Sequence, residues 1–311
     1  MAKPFLKWAG GKTQLLDKID DIIADMRINS DSFIYVEPFL GGGSVLLHLL
    51  DKCSNMELAI VNDLNKELVN CYRVIASEKY YPLFKDAIRK LQDDYNKSLQ
   101  KEQFYKTIRE CYNLWMTTWD SVTPNVNGAV WFLFLNKCGF NGLYRVSKKS
   151  GFNVPWGQKD YLKMYDEDNL DHCHILLNEK VVFMTGDYRS TRSALDIANI
   201  KNMDIIYYLD PPSKPVSKTA SFTSYTTDGF TDLQQEQLKE FCDEISNNDG
   251  YFLMSNSVVD DYFDKLYDGY TIRIVKAKRN INSDGTKRGE VDEVLISNYN
   301  IEDGNKEIPL F

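Results

Sequence analysis

The chain lacks any run of apolar residues long enough to cross a bilayer. Its longest, Ala129 to Leu135, falls far short of the roughly 20 residues a spanning helix needs. No secretory leader is expected from Met1 to Gly11, which is short and mixed and carries Lys3 and Lys7. The six cysteines (Cys53, Cys71, Cys111, Cys138, Cys173 and Cys242) include no Cys-x-x-Cys pair. That spacing argues against a disulfide framework and for reduced thiols in an intracellular, cytoplasmic protein. No internal repeat and no low-complexity tract is visible. An overall basic excess is missing too: the net charge is −8, which at first speaks against a polyanionic partner.

What is present fits a globular chain of one large or two smaller domains: 311 residues, 43% hydrophobic and 26% charged. Local charge tells more than the total. From Asn136 to Lys163 there are six basic residues against Asp160 alone, and from Thr271 to Glu290 six against Asp284 and Glu290. Two such segments on an acidic chain could line one cleft, or each could be a solvated face.

The period of the apolar residues places the motifs. Phe33 to Val36 reads as a short strand ending in Glu37-Pro38, and Gly41-Gly42-Gly43 leads into a helix from Ser44, a candidate N-cap. Leu58 to Val61 reads as a second strand, closed by Asn62-Asp63, with a helix from about Asn65. This is the start of a βαβ unit. A mostly helical stretch then runs to about Leu177, broken by a polar, glycine-containing segment from Cys138 to Gln158. Strands return at 181–185, 205–209, 251–255, 271–275 and 291–297. The expected fold is a single α/β sheet domain assembled from 1–64 and 178–311, with a largely helical insertion over 65–177.

Three strand ends carry candidate chemistry. Gly10-Gly11-Lys12-Thr13 is no phosphate loop, because the glycine required five residues before Gly11 is Leu6 and no strand precedes it. The Phe39-x-Gly41-x-Gly43 turn is better placed, although a dinucleotide fingerprint would want glycine at Leu46. Glycines there allow close approach of a ligand, and Asp63 at the next strand end could accept from ribose hydroxyls. Without a phosphate grip, the ligand that fits is a nucleoside lacking pyrophosphate, such as S-adenosylmethionine. A glycine turn without a ligand stays open. Asp187 and Tyr188, at a third strand end, could bond and cover an adenine.

Asp210-Pro211-Pro212 follows an apolar strand. The prolines fix φ and donate no N–H, so the loop offers a carboxylate and rigid carbonyls, an acceptor-only surface. Such a surface suits an exocyclic amino group. Holding both N–H donors of an adenine N6 favours a more tetrahedral nitrogen, able to attack a sulfonium methyl in line. No covalent intermediate is needed, and the Pro-Cys nucleophile of cytosine-C5 chemistry is absent. A plain turn after a strand is the alternative.

Taken together, "FLKWAGGKTQLL", "VEPFLGGGSV", "NDLN", "LNKCGFNGLYRVSKKSGFNVPWG", "TGDY", "LDPP", "TASFTSY" and "KRGEVDEVLISNY" resemble, in order and over most of the chain, the Dam-type DNA adenine-N6 methyltransferases. The resemblance implies a Rossmann-like S-adenosylmethionine-dependent methyltransferase sheet with an inserted target-recognition region, acting on GATC in double-stranded DNA. It implies that Trp8, Ala9, Gly10, Lys12, Phe39, Gly41, Asp63, Asp187, Tyr188 and Asp210 border the cofactor, and that Asp210, Pro211, Pro212 and Ser213 surround a flipped adenine. It assigns base contacts to Lys7, Phe140, Asn141, Leu143, Arg145 and Pro155. Arg145 could grip a guanine edge bidentately or touch a phosphate. Asn136, Lys137, Lys148 and Lys149 are expected on backbone phosphates. No metal is implied. One departure stands out: Ser213 occupies the place where the family carries a stacking ring, which suggests weakened catalysis. The competing readings are a binding protein that keeps the fold without catalysis, and an amino-methyltransferase acting on RNA or on cytosine N4.

Overall fold

All five residues of the first strand are buried, a pattern that only a central strand covered on both faces allows. The computed structural model describes residues 1–26, 32–197, 203–214, 230–248, 250–278 and 290–299. The chain runs through α1 (Leu16–Met26), β1 (Phe33–Glu37), α2 (Ser44–Lys52), β2 (Met56–Asp63), α3 (Lys66–Ala76), α4 (Tyr81–Lys97), α5 (Lys101–Thr118) and α6 (Val126–Cys138). A short hairpin of β3 (Val146–Ser147) and β4 (Gly151–Phe152) follows, then α7 (Glu167–Lys180), β5 (Val181–Thr185), α8 (Ser190–Ile197) and β6 (Asp204–Leu209). The last part holds α9 (Asp232–Ser246), β7 (Tyr251–Ser257), α10 (Tyr262–Leu266), β8 (Thr271–Lys278) and β9 (Glu290–Ser297).

Seven strands form one sheet in the order β5-β2-β1-β6-β7-β9-β8. The first five in that order are parallel, and β9 is antiparallel to both β7 and β8. This is the expected α/β, Rossmann-like sheet. From β1 the chain moves outward through β2 on one side. From β6 it moves outward through β7 on the other. The carboxyl ends of β1 and β6 therefore meet at the topological switch point, where open α/β sheets hold their ligands.

The alternation along β1 and β6 feeds two cores. Phe33, Tyr35, Ile206 and Tyr208 pack under α1 to α7. Ile34, Val36, Tyr207 and Leu209 pack with α9 residues Leu238, Phe241 and Ile245 on the opposite face. The first core continues without a break into α6 through Phe132 and Phe134. At the two ends of the helical stretch, α3 and α7 lie on β2 itself.

Several strands extend beyond their apolar runs. β2 reaches Asp63 because Asn62 and Asp63 pair with Met184 and Thr185 of β5, so ladder partners hold polar residues that hydrophobicity alone leaves out. The N-cap of α2 is corrected. Ser44 is its first residue, and the cap is Gly43, left-handed at φ 64° and without a side-chain bond. The Glu37 carboxyl on β1 faces this first turn, where the Leu46 amide favours its charged form. Asn65 does cap α3, accepting from Leu68 N at 2.9 Å. Among the described residues no helix is long and apolar enough to cross a membrane. All six cysteines are thiols, five of them buried.

Candidate active site

The carboxyl edge of the sheet gathers the strand-end motifs. Leu40 N donates to Asn62 O at 2.8 Å, and Asn62 Nδ2 donates to Pro38 O and to Gly186 O, each at 3.0 Å. The loops after β1, β2 and β5 are thereby tied into one rim. Asp63 holds the glycine turn directly: Oδ2 accepts from Gly41 N at 2.9 Å and Oδ1 from Asn65 N at 2.8 Å. Burial lifts the Asp63 carboxyl above its ordinary range, against the pull of these two amides. Gly41 is left-handed at φ +48°, and a Cβ there would come within 3.0 Å of the Trp8 ring. The turn therefore needs glycine both for its backbone and for the indole packed on it.

Tyr188 lies against Phe39 with ring centroids 5.1 Å apart, and Phe230 meets Phe39 edge-on at 6.3 Å. The three rings make an apolar wall beside the Asp63 rim. The Tyr188 hydroxyl is buried without a partner. Asp187 is exposed and already engaged in a fork with Arg189, at 2.9 Å to Nε and 2.7 Å between Oδ2 and the guanidinium. That pair holds its carboxyl below the usual range. Phe230 was not anticipated, since no strand or motif marks it in the sequence.

At the end of β6, Asp210 is fixed through one oxygen. Its Oδ1 accepts from Lys12 Nζ at 2.9 Å and from Ser255 Oγ at 3.1 Å. No described residue hydrogen-bonds its Oδ2. Lys12 is only 6% exposed; it also bonds Gly10 O at 2.9 Å and faces Glu293 Oε2 at 3.7 Å. Burial alone would lower its ammonium. The two facing carboxylates, Asp210 foremost, outweigh that and hold it above the ordinary value. Lys12, expected at the cofactor, is thus the cation of the Asp210 carboxylate. Glu37 lies nearby and accepts from the Tyr35 hydroxyl at 3.0 Å; burial pushes it well above the carboxylate range, and Asp210 adds to this. Pro211 is buried, Pro212 half-buried and Ser213 exposed. Lys214 stands over the Tyr262 ring at 3.8 Å and pairs with Asp232. The rings of "TASFTSY", Phe222 and Tyr225, lie outside the described residues.

The expected nucleic-acid contacts fall into a second group. Phe140 N donates to Pro155 O at 2.9 Å, closing the loop between α6 and the segment after β4. This brings Phe140, Asn141 and Pro155 together, and Phe140 is 47% exposed. The stem of Lys7 covers Gly142, where a Cβ would sit 2.6 Å from Lys7 Cδ. Leu143 is half-buried against the core. Arg145 is exposed at the base of the hairpin, donating from Nε to Asn153 Oδ1 at 2.5 Å, and Lys148 is exposed in its turn. Asn136 is a correction. It is 2% exposed, and its amide clamps the N-terminal segment: Oδ1 accepts from Lys7 N at 2.8 Å and Nδ2 donates to Lys7 O at 2.7 Å. A side chain spent this way has nothing to offer a phosphate. Lys137 is half-buried, pushed down to about 8 by burial and by Lys7.

Residues 7–12 join the two groups. Lys7 sits on the loop at Gly142, Trp8 packs between the glycine turn and Tyr144 (5.7 Å between centroids), and Lys12 reaches Asp210. Ser255, Glu293, Glu37 and Tyr208 were missed as site residues. A signal for the first existed: the apolar run of β7 ends in Ser255-Asn256, as that of β6 ends in Asp210. Among the described residues no group of carboxylates, histidines and cysteines could hold a metal.

Comparison with known proteins now adds to this geometry. A family model described as D12 class N6 adenine-specific DNA methyltransferase matches residues 8–281. A type II methyltransferase of Methanocaldococcus jannaschii, M.MjaIII, is 38% identical over 96% of this chain and 99% of its own length. The type II methyltransferase M1.LlaDCHI of Lactococcus lactis subsp. cremoris is 30% identical over 96% of this chain and 95% of its own. A DNA adenine methylase of Vibrio cholerae is 31% identical over 94% of this chain and 95% of its own.

Proposed function

The chain belongs to the D12 class N6 adenine-specific DNA methyltransferases, and from that premise we propose that it methylates adenine N6 within GATC in duplex DNA, using S-adenosylmethionine and a base turned out of the stack. The observation that carries this reading is the Asp210 carboxylate at the switch point, anchored through Oδ1 by Lys12 and Ser255 and followed by two prolines. Anchoring one oxygen leaves Oδ2 to accept from the exocyclic amino group, with the Pro211 carbonyl as the second acceptor. Both N–H donors are then held and the nitrogen lone pair is directed away from them.

The residues at the carboxyl edge fit S-adenosylmethionine. Asp63 offers acceptor capacity for ribose hydroxyls, and Phe39, Tyr188 and Phe230 offer an apolar wall for an adenine. When bound, the cofactor supplies an electrophilic sulfonium methyl. Asp187 would serve an adenine amino group through lone pairs not used by Arg189. Trp8, Ala9, Gly10 and Gly41 would border the same site, with Lys12 acting through Asp210. Residues 1–64 and 178–311 would form the catalytic part, and 65–177 the recognition part.

On the DNA side, Lys7, Phe140, Asn141, Leu143, Arg145 and Pro155 would meet bases, and Lys137, Lys148 and Lys149 phosphates. Ser213 would leave one face of the target base without a ring. Acting on DNA, the protein would work inside the cell. Relatives named type II methyltransferases support a place in a restriction–modification system.

The test is transfer of a labelled methyl group to duplexes with GATC, with one base of it changed, or with no adenine. Label at adenine N6 and only in the GATC duplex is the expected result. Equal labelling of all adenine-containing duplexes would remove the GATC assignment, and label on cytosine or RNA would remove the substrate.

A further inference from the structure

Ser255 and Asn256 are adjacent at the end of β7, next to the end of β6, and both are buried, at 0% and 2% exposure. Two polar side chains in that position need partners, because burying them unpaired is costly. Ser255 Oγ donates to Asp210 Oδ1 at 3.1 Å and lies 2.9 Å from the Tyr208 hydroxyl. With its own proton given to the carboxylate, Ser255 accepts from Tyr208, whose burial pushes its phenol far above the usual range and keeps it a neutral donor. Asn256 Oδ1 accepts from Lys214 N at 3.1 Å and from Ser257 N at 2.8 Å. Prolines at 211 and 212 donate no N–H, so the first backbone donors after Asp210 are those of Ser213 and Lys214, and Asn256 takes the second.

Resting on the functional reading above, we propose that Ser255 and Asn256 are positioning residues that clamp the segment from Asp210 to Lys214, which would face the target base, at its two ends. Ser255 fixes the carboxylate at its start and Asn256 fixes the backbone at its close. Lys12 holds the same Asp210 oxygen from the N-terminal segment, so the carboxylate is restrained from two directions and its second oxygen keeps one orientation. Without Ser255, one anchor remains and the carboxylate can turn about it. Without the Asn256 acceptor, the loop end after Ser213 is free to shift. The buried Nδ2 of Asn256 has no acceptor among the described residues. Retaining such a group is unexplained by packing, and a donor beside the loop is available once the loop is filled.

The experiment uses the full chain, duplex DNA with GATC, and S-adenosylmethionine. Where the orientation it enforces is expressed in the rate, a hydrogen bond to a charged group is worth roughly tenfold to a hundredfold. Ser255→Ala should lower the single-turnover rate by about that factor, with KM for DNA and cofactor changed by less than about twofold. Ser255→Thr keeps the hydroxyl and should restore most of the rate. Asn256→Ala should lower the rate and also the fluorescence of 2-aminopurine placed at the target position, since a looser loop retains the extruded base less well. A rate for Ser255→Ala within about twofold of the parent overturns the clamp, as does an equal loss in Ser255→Thr or a loss that follows the melting temperature. If the parent labels no adenine at all, the functional reading fails and the clamp with it. Normal parent activity with an active Ser255→Ala refutes the clamp alone.

Discussion

Replacing Lys12 by methionine keeps the length of the side chain and removes a cation that faces both Asp210 and Glu293. The lysine is 6% exposed, and its Nζ lies 2.9 Å from Asp210 Oδ1, 2.9 Å from Gly10 O and 3.7 Å from Glu293 Oε2. Removing one partner of a buried ion pair costs about 3–5 kcal/mol, since the opposite charge is left uncompensated. The two carboxylates keep some contact with water, with side chains 23% and 15% exposed. That places the expected loss near the lower bound, about 3 kcal/mol. A second change, Glu293→Gln, relieves part of the stranded charge. The double variant should therefore be more stable than the sum of the single effects by about 1–2 kcal/mol, within the range for groups in contact. Urea unfolding of the four proteins without cofactor, with slopes compared, measures both quantities. A loss below about 1 kcal/mol, the scale of an exposed pair, or strict additivity with Glu293→Gln would refute the claim that the buried Lys12 compensates these two half-buried carboxylates.

Asp63→Ala should weaken S-adenosylmethionine binding in calorimetry and also destabilise the fold by about 1–3 kcal/mol, because Gly41 N and Asn65 N lose their acceptor; unchanged affinity would take Asp63 out of the cofactor site. Arg145→Ala should lower discrimination between GATC and single-base variants by about 1–3 kcal/mol at one position, whereas Lys148→Ala should weaken all duplexes alike and flatten the salt dependence. Equal weakening of every sequence by Arg145→Ala would make it a phosphate contact. Ser213→Tyr should raise the single-turnover rate on duplex GATC, by up to the ~1–3 kcal/mol of a base–ring stack, and should help less when the target adenine is mispaired and easily extruded. No gain would show that nothing is missing over the base. The Glu37 carboxyl is raised by burial, so the stability it contributes is full below its unfolded pKa of about 4.3 and is lost as pH rises toward the raised value. Glu37→Gln should therefore gain on the parent between pH 5 and pH 8 in chemical denaturation, and parallel pH profiles would show that Glu37 ionises freely.

The order and spacing of the strand-end motifs determine much of this protein before any coordinates. A buried run such as Ile205 to Leu209 that stops at Asp210 and two prolines can only be a strand delivering a carboxylate to an edge, and the same holds for Val36 and Val61 with the glycine turn and Asp63. Period and punctuation are local properties, and local properties are legible in a sequence. What the sequence could not supply is which side chains meet across the fold. Lys12 was legible as a site residue, but that the N-terminal segment sets its ammonium on Asp210 was not. Asn136 looked like a phosphate contact beside Lys137, yet the turn of α6 aims it inward at the backbone of Lys7. Glu37, read only as the end of a strand, is buried beside Asp210 and faces the first turn of α2. Each outcome depends on groups separated by tens to hundreds of residues, whose encounter is decided by strand order and helix rotation and not by neighbours along the chain.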